Sequence, residues 1–339
     1  VRTWQITNAQ GIDGLTLAEV ETPTPGHREV LVRVRANSIN YRDLSTILDP
    51  EPRGIPYPRV PNSDGAGDIV AVGDGVTKFR VGDRVAGCFF QKWADGAIDA
   101  EKMASAMGGA IDGMLAEYVV LDENGLVNIP VHLSYEEAAT LPCAALTAWH
   151  SLIHVGQINA GDTVLLIGTG GVSIFALQLA VAQGARVIIT SSSDEKLARA
   201  RELGAWQTIN YRENPGWHDI VVALTHGVGV DHVVETGGAG TLKHSVEAVR
   251  IGGSIGLIGV LTGGEINPTP IMRKSINLRG IYVGSRAMFE EMNRAIEATS
   301  MLPVVDRNFS FEDAQDAYRH MQSAAHLGKI TISMNNDVY

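Results

Sequence analysis

The sequence predicts an α/β chain in which a doubly wound parallel sheet is joined to a smaller, sharply curved β unit. Residues 163–190 (TVLLIGTGGVSIFALQLAVAQGARVIIT) run from an apolar strand through a glycine turn into a helix. Phe175, Ala176, Leu179 and Ala180 share one face of that helix, Gly184 closes it, and a β-branched strand follows. Further β-branched segments at 207–211, 231–236, 254–258 and from Leu278 to Val283 have helical stretches between them. Six strands with intervening helices make one doubly wound sheet. Ahead of them, NSDGAGDIVAVGDGVTKFRVGDRVAG places glycines at 65, 67, 73, 75, 82 and 87 among short valine strands, which suits a small β-barrel-like unit.

At 339 residues the chain is long enough for two domains that each bury a core. Residues 29–36 (EVLVRVRA) alternate with period two, placing Val30, Val32 and Val34 on one face. Pro52, Pro56, Pro58 and Pro61 enforce an extended loop, and residues 89–115 read as a loop over the mouth of a site. A strand is expected at 116–121, and Ser134 with Glu137 forms a capping box that launches a helix. Residues 143–153 are expected to form a helix crossing between domains. Ser193 caps a helix over 195–203 that Gly204 ends. The remainder reads as a helix from about 287, a strand near 304–306, a helix capped by Ser310 and a last strand at 329–333.

Composition narrows the function classes. A net charge of −11 argues against nucleic-acid or anionic-membrane surfaces. Cys88 and Cys143 are the two cysteines, too few for a disulfide framework or a multi-cysteine metal site, and they fit a reducing compartment. No apolar run approaches the ~18 residues of a membrane span. VRTWQITNAQ lacks a signal-peptide layout, so a cytoplasmic location is expected.

The glycine turn is the main carrier of chemistry. Gly168, Thr169, Gly170, Gly171 and Val172 lie between strand and helix, with Ser173 at the third small-residue position. Backbone without side chains can approach a pyrophosphate closely, and the helix N-terminus then faces its charge. A tight turn with no ligand is the alternative, and the β-α-β context favours the dinucleotide.

The stretch GAGDIVAVGDGVTKFRVGDRV, followed by GTGGVSIFALQLA, resembles the medium-chain dehydrogenase/reductase superfamily across essentially the whole chain. The resemblance implies a GroES-like catalytic domain over 1–140 and 287–339 and a Rossmann domain over 141–286. Zinc members carry a cysteine and a histidine ligand where this chain has Asn40 and Ser63. Neither is a normal zinc ligand, and Asp64 alone is not a site, so no catalytic metal is expected. His150 and His154 are i,i+4 on a predicted helix, but no third ligand accompanies them.

NAD sites carry an acidic residue about 20 positions past the turn. The aligned position here is Ser191, with Ser192, Lys196 and Tyr211 nearby, so NADP(H) is expected; simple helix capping is the alternative for the serines. The resemblance also brings Thr147, Gly237, Gly238, Gly259, Val260, Val283, Gly284 and Ser285 to the cofactor. It sets Asn40, Tyr41 and Ser63 opposite the nicotinamide as hydrogen-bond donors to a substrate oxygen, with Asp43 and Asp64 as orienters. The expected activity is hydride transfer from NADPH to a quinone, enone or related carbonyl. The alternatives are a zinc-type alcohol dehydrogenase and a non-catalytic NADPH-binding sensor. A homodimer through the edge strand from Leu278 to Val283 is expected.

Overall fold

Alternation and glycine punctuation produce fifteen strands among the described residues, which are 1–334 of this computed structural model. In chain order they are β1 (Arg2–Ile6), β2 (Leu15–Glu19), β3 (Glu29–Ile39), β4 (Asp64–Val72), β5 (Arg84–Gly87), β6 (Tyr118–Asp122), β7 (Leu126–Asn128) and β8 (Thr163–Leu166). They continue with β9 (Arg186–Ser191), β10 (Gln207–Asn210), β11 (Val230–Glu235), β12 (Val249–Leu257), β13 (Asn277–Gly280), β14 (Val305–Ser310) and β15 (Lys329–Ser333). Two units result: Val1–Leu146 with residues 283–334, and Thr147–Tyr282.

In the first unit a sheet of order β14-β15-β3-β4-β5-β7 also carries β6 on β3, while β1 and β2 pair separately. Strand β3 is the hub. Val30, Val32 and Val34 are buried in a core with Trp4, Ile39, Phe311 and Tyr318. The last strand, β15, runs antiparallel to β3 with Ile330 opposite Ile39. That register delivers Lys329, nearly 300 residues away in sequence, to the end of β3. The segment 89–115 is only partly a loop. Phe89, Phe90, Trp93, Met107, Met114 and Leu115 are buried, and a short helix, Ala100–Met103, fills its exposed middle.

The second unit is a six-stranded parallel sheet of order β10-β9-β8-β11-β12-β13. Renumbered from its first strand this is 3-2-1-4-5-6, with the order reversing between β8 and β11. Val164, Leu165 and Leu166 on β8 are buried, as expected of a central parallel strand covered on both faces.

Three elements differ from expectation. The strand expected from Leu278 to Val283 is instead Asn277–Gly280: it stops where its partner β12 stops, with Gly280 opposite Leu257, and Val283 beyond it has a left-handed φ of 55°. The helix expected at 143–153 is a four-residue α segment, Leu146–Trp149, between π-helical turns at Leu141–Ala145 and His150–Val155. Ser310 does not cap the following helix; it ends β14, its hydroxyl donates to Asp313 Oδ2, and Asp313 precedes the helix Ala314–Gln322.

A buried polar knot ties the second unit together. The His232 ring on β11 bonds Ser151 Oγ through Nε2 at 2.9 Å and Ser254 Oγ of β12 through Nδ1 at 2.7 Å. Burial pushes its pKa down to about 3. Because the folded value lies below the ordinary 6.5, the unfolded chain takes up the proton first as pH falls, and stability is lost below about pH 6.5. Wild type should therefore lose about 2 kcal/mol more than His232→Asn between pH 7 and pH 5, read from urea midpoints. Parallel pH profiles for the two proteins would refute a neutral buried imidazole.

Candidate active site

The turn after β8 leaves backbone exposed at a helix N-terminus. Gly168 has φ 76°, the left-handed region that costs an ordinary residue about 1–2 kcal/mol. Its N–H donates to Thr190 Oγ1 at 3.2 Å, Thr169 Oγ1 meets Ser191 Oγ at 3.2 Å, and Ser173 Oγ donates to the Ile167 carbonyl at 2.8 Å. These bonds anchor the loop to both flanking strands. No side chain caps the helix Gly171–Ala182 at Gly170, and a Cβ added to Gly168 or Gly170 would meet nothing within 4 Å. Open space over an uncapped helix N-terminus is what a pyrophosphate requires.

At the end of β9 the serines have distinct jobs. Ser191 is buried and accepts from the Ser193 N–H at 3.4 Å, while Ser192 is half-buried beyond it. Ser193 caps the helix Asp194–Glu202 by accepting from the Lys196 N–H. The Tyr211 N–H donates to the Ser191 carbonyl at 3.0 Å and its ring is exposed. The structure thus gathers Thr169, Ser191, Ser192, Lys196 and Tyr211 around one strand end. Asp194, the nearest following carboxylate, is held by Asn210 Nδ2 at 2.8 Å.

The end of β11 is organised by buried Glu235. Its Oε1 accepts from the N–H groups of Gly237 and Gly238, at 2.8 and 3.2 Å, and from Thr241 Oγ1; its Oε2 accepts from Ser245 Oγ. Gly259 packs against this turn so closely that a Cβ would lie 2.1 Å from the Thr236 carbonyl, whereas Val260 is exposed. Thr147 is buried on the Leu146–Trp149 segment. In the first unit Val283 is buried, a Cβ on Gly284 would meet Leu146 at 2.9 Å, and Ser285 caps the helix Arg286–Thr299 through the Met288 N–H.

A buried polar cluster forms where β3, β4 and β15 meet. The Lys329 ammonium donates to the Ile39 carbonyl at 2.8 Å and to Asn40 Oδ1. Fixed this way, the Asn40 amide turns Nδ2 toward Ser63 Oγ at 3.5 Å, and Ser63 gives its own proton to Asp64 Oδ1 at 2.6 Å. Asp64 Oδ2 accepts from the Cys143 N–H at 3.2 Å. Asp43 accepts from the Asn40 N–H at 2.8 Å and pairs with Arg42 at 3.0 Å. Burial raises the Asp64 carboxyl to about 6 against the lowering pull of Lys329; Asp43 raises it further, and Ser63 and Asn40 lower it. Burial, then Asp64, pushes the Cys143 thiol up, and burial takes Cys88 up to about 12. Tyr41, first residue of the helix Tyr41–Leu48, is about half exposed.

This donor set does not fit a catalytic zinc. Zinc takes three protein ligands from thiolate, imidazole and carboxylate. Here both Asp64 oxygens already accept hydrogen bonds, Asn40 and Ser63 are not zinc ligands, and a buried ammonium repels a second cation. His150 and His154 pack edge to face at 6.1 Å, and among the described residues they belong to no three-ligand group. Lys329 escaped the sequence reading; its only signal is a lysine heading an apolar strand, GKITIS.

The glycines separate by role. Gly170→Ala should leave Tm nearly unchanged while weakening dinucleotide affinity about tenfold or more, since its Cβ would enter only the open space above the turn. Gly259→Ala should lower stability by about 1–3 kcal/mol, because backbone atoms cannot yield to the new methyl. Thermal melts with fluorescence titration of nicotinamide dinucleotides check both. Equal behaviour of the two variants would contradict the assignment.

Comparison with known proteins places these observations. The alcohol dehydrogenase GroES-like domain profile matches residues 26–131, and the zinc-binding dehydrogenase profile matches residues 171–298. The zinc-type alcohol dehydrogenase-like protein C1773.06c of Schizosaccharomyces pombe is 44% identical over 336 residues, covering 96% of each chain. A quinone oxidoreductase of Pseudomonas aeruginosa is 30% identical, covering 95% of this chain and 96% of that one. A Sinorhizobium meliloti 1021 crystal structure superposes with TM-score 0.92 at 41% identity over 98% of each chain. An NAD-dependent alcohol dehydrogenase gives TM-score 0.90 at 32% identity, covering 98% and 99%. Mycobacterial Rv1454c complexed with NADPH gives 0.83 at 26% identity, covering 98% and 100%. The chain belongs to the medium-chain dehydrogenase/reductase superfamily of oxidoreductases, with a GroES-like domain and a Rossmann-type parallel sheet.

Proposed function

We propose that this oxidoreductase is NADPH-dependent and zinc-independent, reducing a quinone, enone or related carbonyl compound. The observation that carries this reading is the Lys329–Asn40–Ser63–Asp64 cluster, in which Asn40 and Ser63, which by resemblance stand where zinc members carry metal ligands, are bonded to one another and to a buried ammonium and carboxylate. The cofactor, when bound, supplies the hydride. Gly168, Thr169, Gly170, Gly171 and Val172 would hold its pyrophosphate, and Ser191, Ser192, Lys196 and Tyr211 its 2′-phosphate. The neutral Ser191 at the end of β9 supports NADPH, since a carboxylate in that place would repel the phosphate; Asp194 and Glu195, one helical turn on, weigh against it. Thr147, Gly237, Gly259, Val260, Val283, Gly284 and Ser285 complete the assigned cofactor contacts.

Reduction of a conjugated carbonyl builds negative charge on oxygen, and preorganised donors stabilise it without reorganisation. Asn40 is assigned that task, its amide orientation set by Lys329. Ser63 relays between Asn40 and Asp64, and Tyr41 is the assigned proton donor because its hydroxyl is reachable. Pairing of the β13 edge with a second copy belongs to the same reading, since β13 ends the six-stranded sheet. The zinc-type alcohol dehydrogenase reading is favoured by the names of relatives and is separated by chelation.

Chelator-dialysed protein assayed against quinones and enones should oxidise NADPH with kcat/KM above that for NADH. Lys196→Ala should raise KM for NADPH while leaving KM for NADH nearly unchanged. A preference for NADH, or activity lost to the chelator and restored by zinc, would overturn the proposal. Separately, Asn40→Ala should lower kcat about 10²-fold with dinucleotide affinity retained. Tyr41→Phe should also slow turnover, and an unchanged rate would leave Tyr41 without a catalytic part.

A further inference from the structure

The second unit carries a separate group of ligand-type side chains outside the glycine turn. His218 lies in the first turn of the helix Trp217–Leu224, and His244 and Glu247 lie near the C-terminal end of the helix Ala239–Ala248. His218 Nε2 is 3.1 Å and His244 Nδ1 3.5 Å from the same Glu247 oxygen, Oε2. Two ligands on a tetrahedral zinc stand about 3.3 Å apart, given metal–ligand bonds near 2.0–2.1 Å. The two observed separations bracket that value, and all three ligand atoms lie within 4.8 Å of one another.

Several features make this more than an ion pair at the surface. The imidazoles stack at 4.4 Å with planes 24° apart, and buried Trp217 walls them at 6.2 and 5.5 Å. His244 Nδ1 is shielded from solvent and makes no hydrogen bond, with Glu247 Oε2 beside it at 3.5 Å, so a metal between the two would satisfy both. Asp219 Oδ1, 3.6 Å from His218 Nε2, offers a second carboxylate. Lys274, which is coupled electrostatically to Glu247, points its ammonium at the carbonyls of Val246, Glu247 and Val249. Glu247 stands nine residues beyond Gly238, about 13 Å along the helix, so the group is remote from the glycine turns.

We propose that His218, His244 and Glu247 form a site for a divalent transition metal such as zinc, with Asp219 available as a fourth ligand. Two imidazoles with carboxylate suit zinc, nickel or cobalt rather than calcium or magnesium. Bound there, the ion clamps the helices on either side of β11 in sequence and serves structure rather than hydride transfer. The proposal does not depend on the assigned reaction.

The test is calorimetric titration of chelator-dialysed full-length protein with Zn²⁺, repeated with Co²⁺ to read visible d–d absorption. Wild type should bind one ion per chain, show a tetrahedral cobalt spectrum and gain in Tm. His244→Ala and the near-isosteric Glu247→Gln should each weaken binding by about tenfold or more, while Asp64→Asn keeps wild-type affinity, placing the ion away from the polar cluster. Circular dichroism of each variant without metal verifies folding. Absence of binding in wild type, or retained affinity in a folded His218→Ala/His244→Ala double variant, would overturn the proposal. So would zinc binding lost in folded Asp64→Asn but kept in Glu247→Gln.

Discussion

The Lys329 ammonium is the charge around which the first unit's polar interior is arranged. It is buried at the head of β15, and the antiparallel register of β15 on β3 sets it beside Ile39 and Asn40. A one-residue slip of that register would turn it to the other face of the sheet and leave Asp64 without its field. Removing one partner from a buried charge group typically costs about 3–5 kcal/mol, far more than a surface pair. The cluster is therefore also a constraint on how the C-terminal strand docks. The same ammonium fixes which way the Asn40 amide faces, so the donor geometry proposed for the substrate oxygen depends on a residue nearly 300 positions away.

The second unit uses the opposite strategy. Its glycine turn is left uncapped, while the neighbouring turn after β11 is fully internally bonded by Glu235. One loop is rigid because a buried carboxylate satisfies its N–H groups. The other is anchored through Thr190, Thr169 and Ser173 and keeps its helix terminus available.

Much of this organisation was legible in the sequence. The strand-turn-helix-strand pattern at 163–190 specified the β-α-β unit because hydrophobic period and glycine position agree there. The alternation of Val30, Val32 and Val34 marked the hub strand. Local pattern failed where tertiary contacts decide. The end of β12 at Leu257 shortened the edge strand paired to it, π-helical turns broke the segment 143–153, and aromatic burial drew Phe89, Phe90 and Trp93 into the core. Lys329 was invisible as a site residue because its meaning comes from strand pairing across the chain. His218 joins His244 and Glu247 only when two helices pack, although His244 and Glu247 alone show an i,i+3 spacing.

The central claim, that an ammonium-braced donor cluster stands in for a metal, is tested most directly by single-turnover stopped flow. Metal-free wild type and Lys329→Met would be mixed with NADPH deuterated at the transferring position and a quinone acceptor. The account predicts that metal-free wild type transfers hydride with a primary isotope effect. It also predicts that Lys329→Met, still binding NADPH, transfers it about 10²-fold more slowly. An unchanged rate in Lys329→Met, or a wild-type rate that vanishes until zinc is restored, would contradict it.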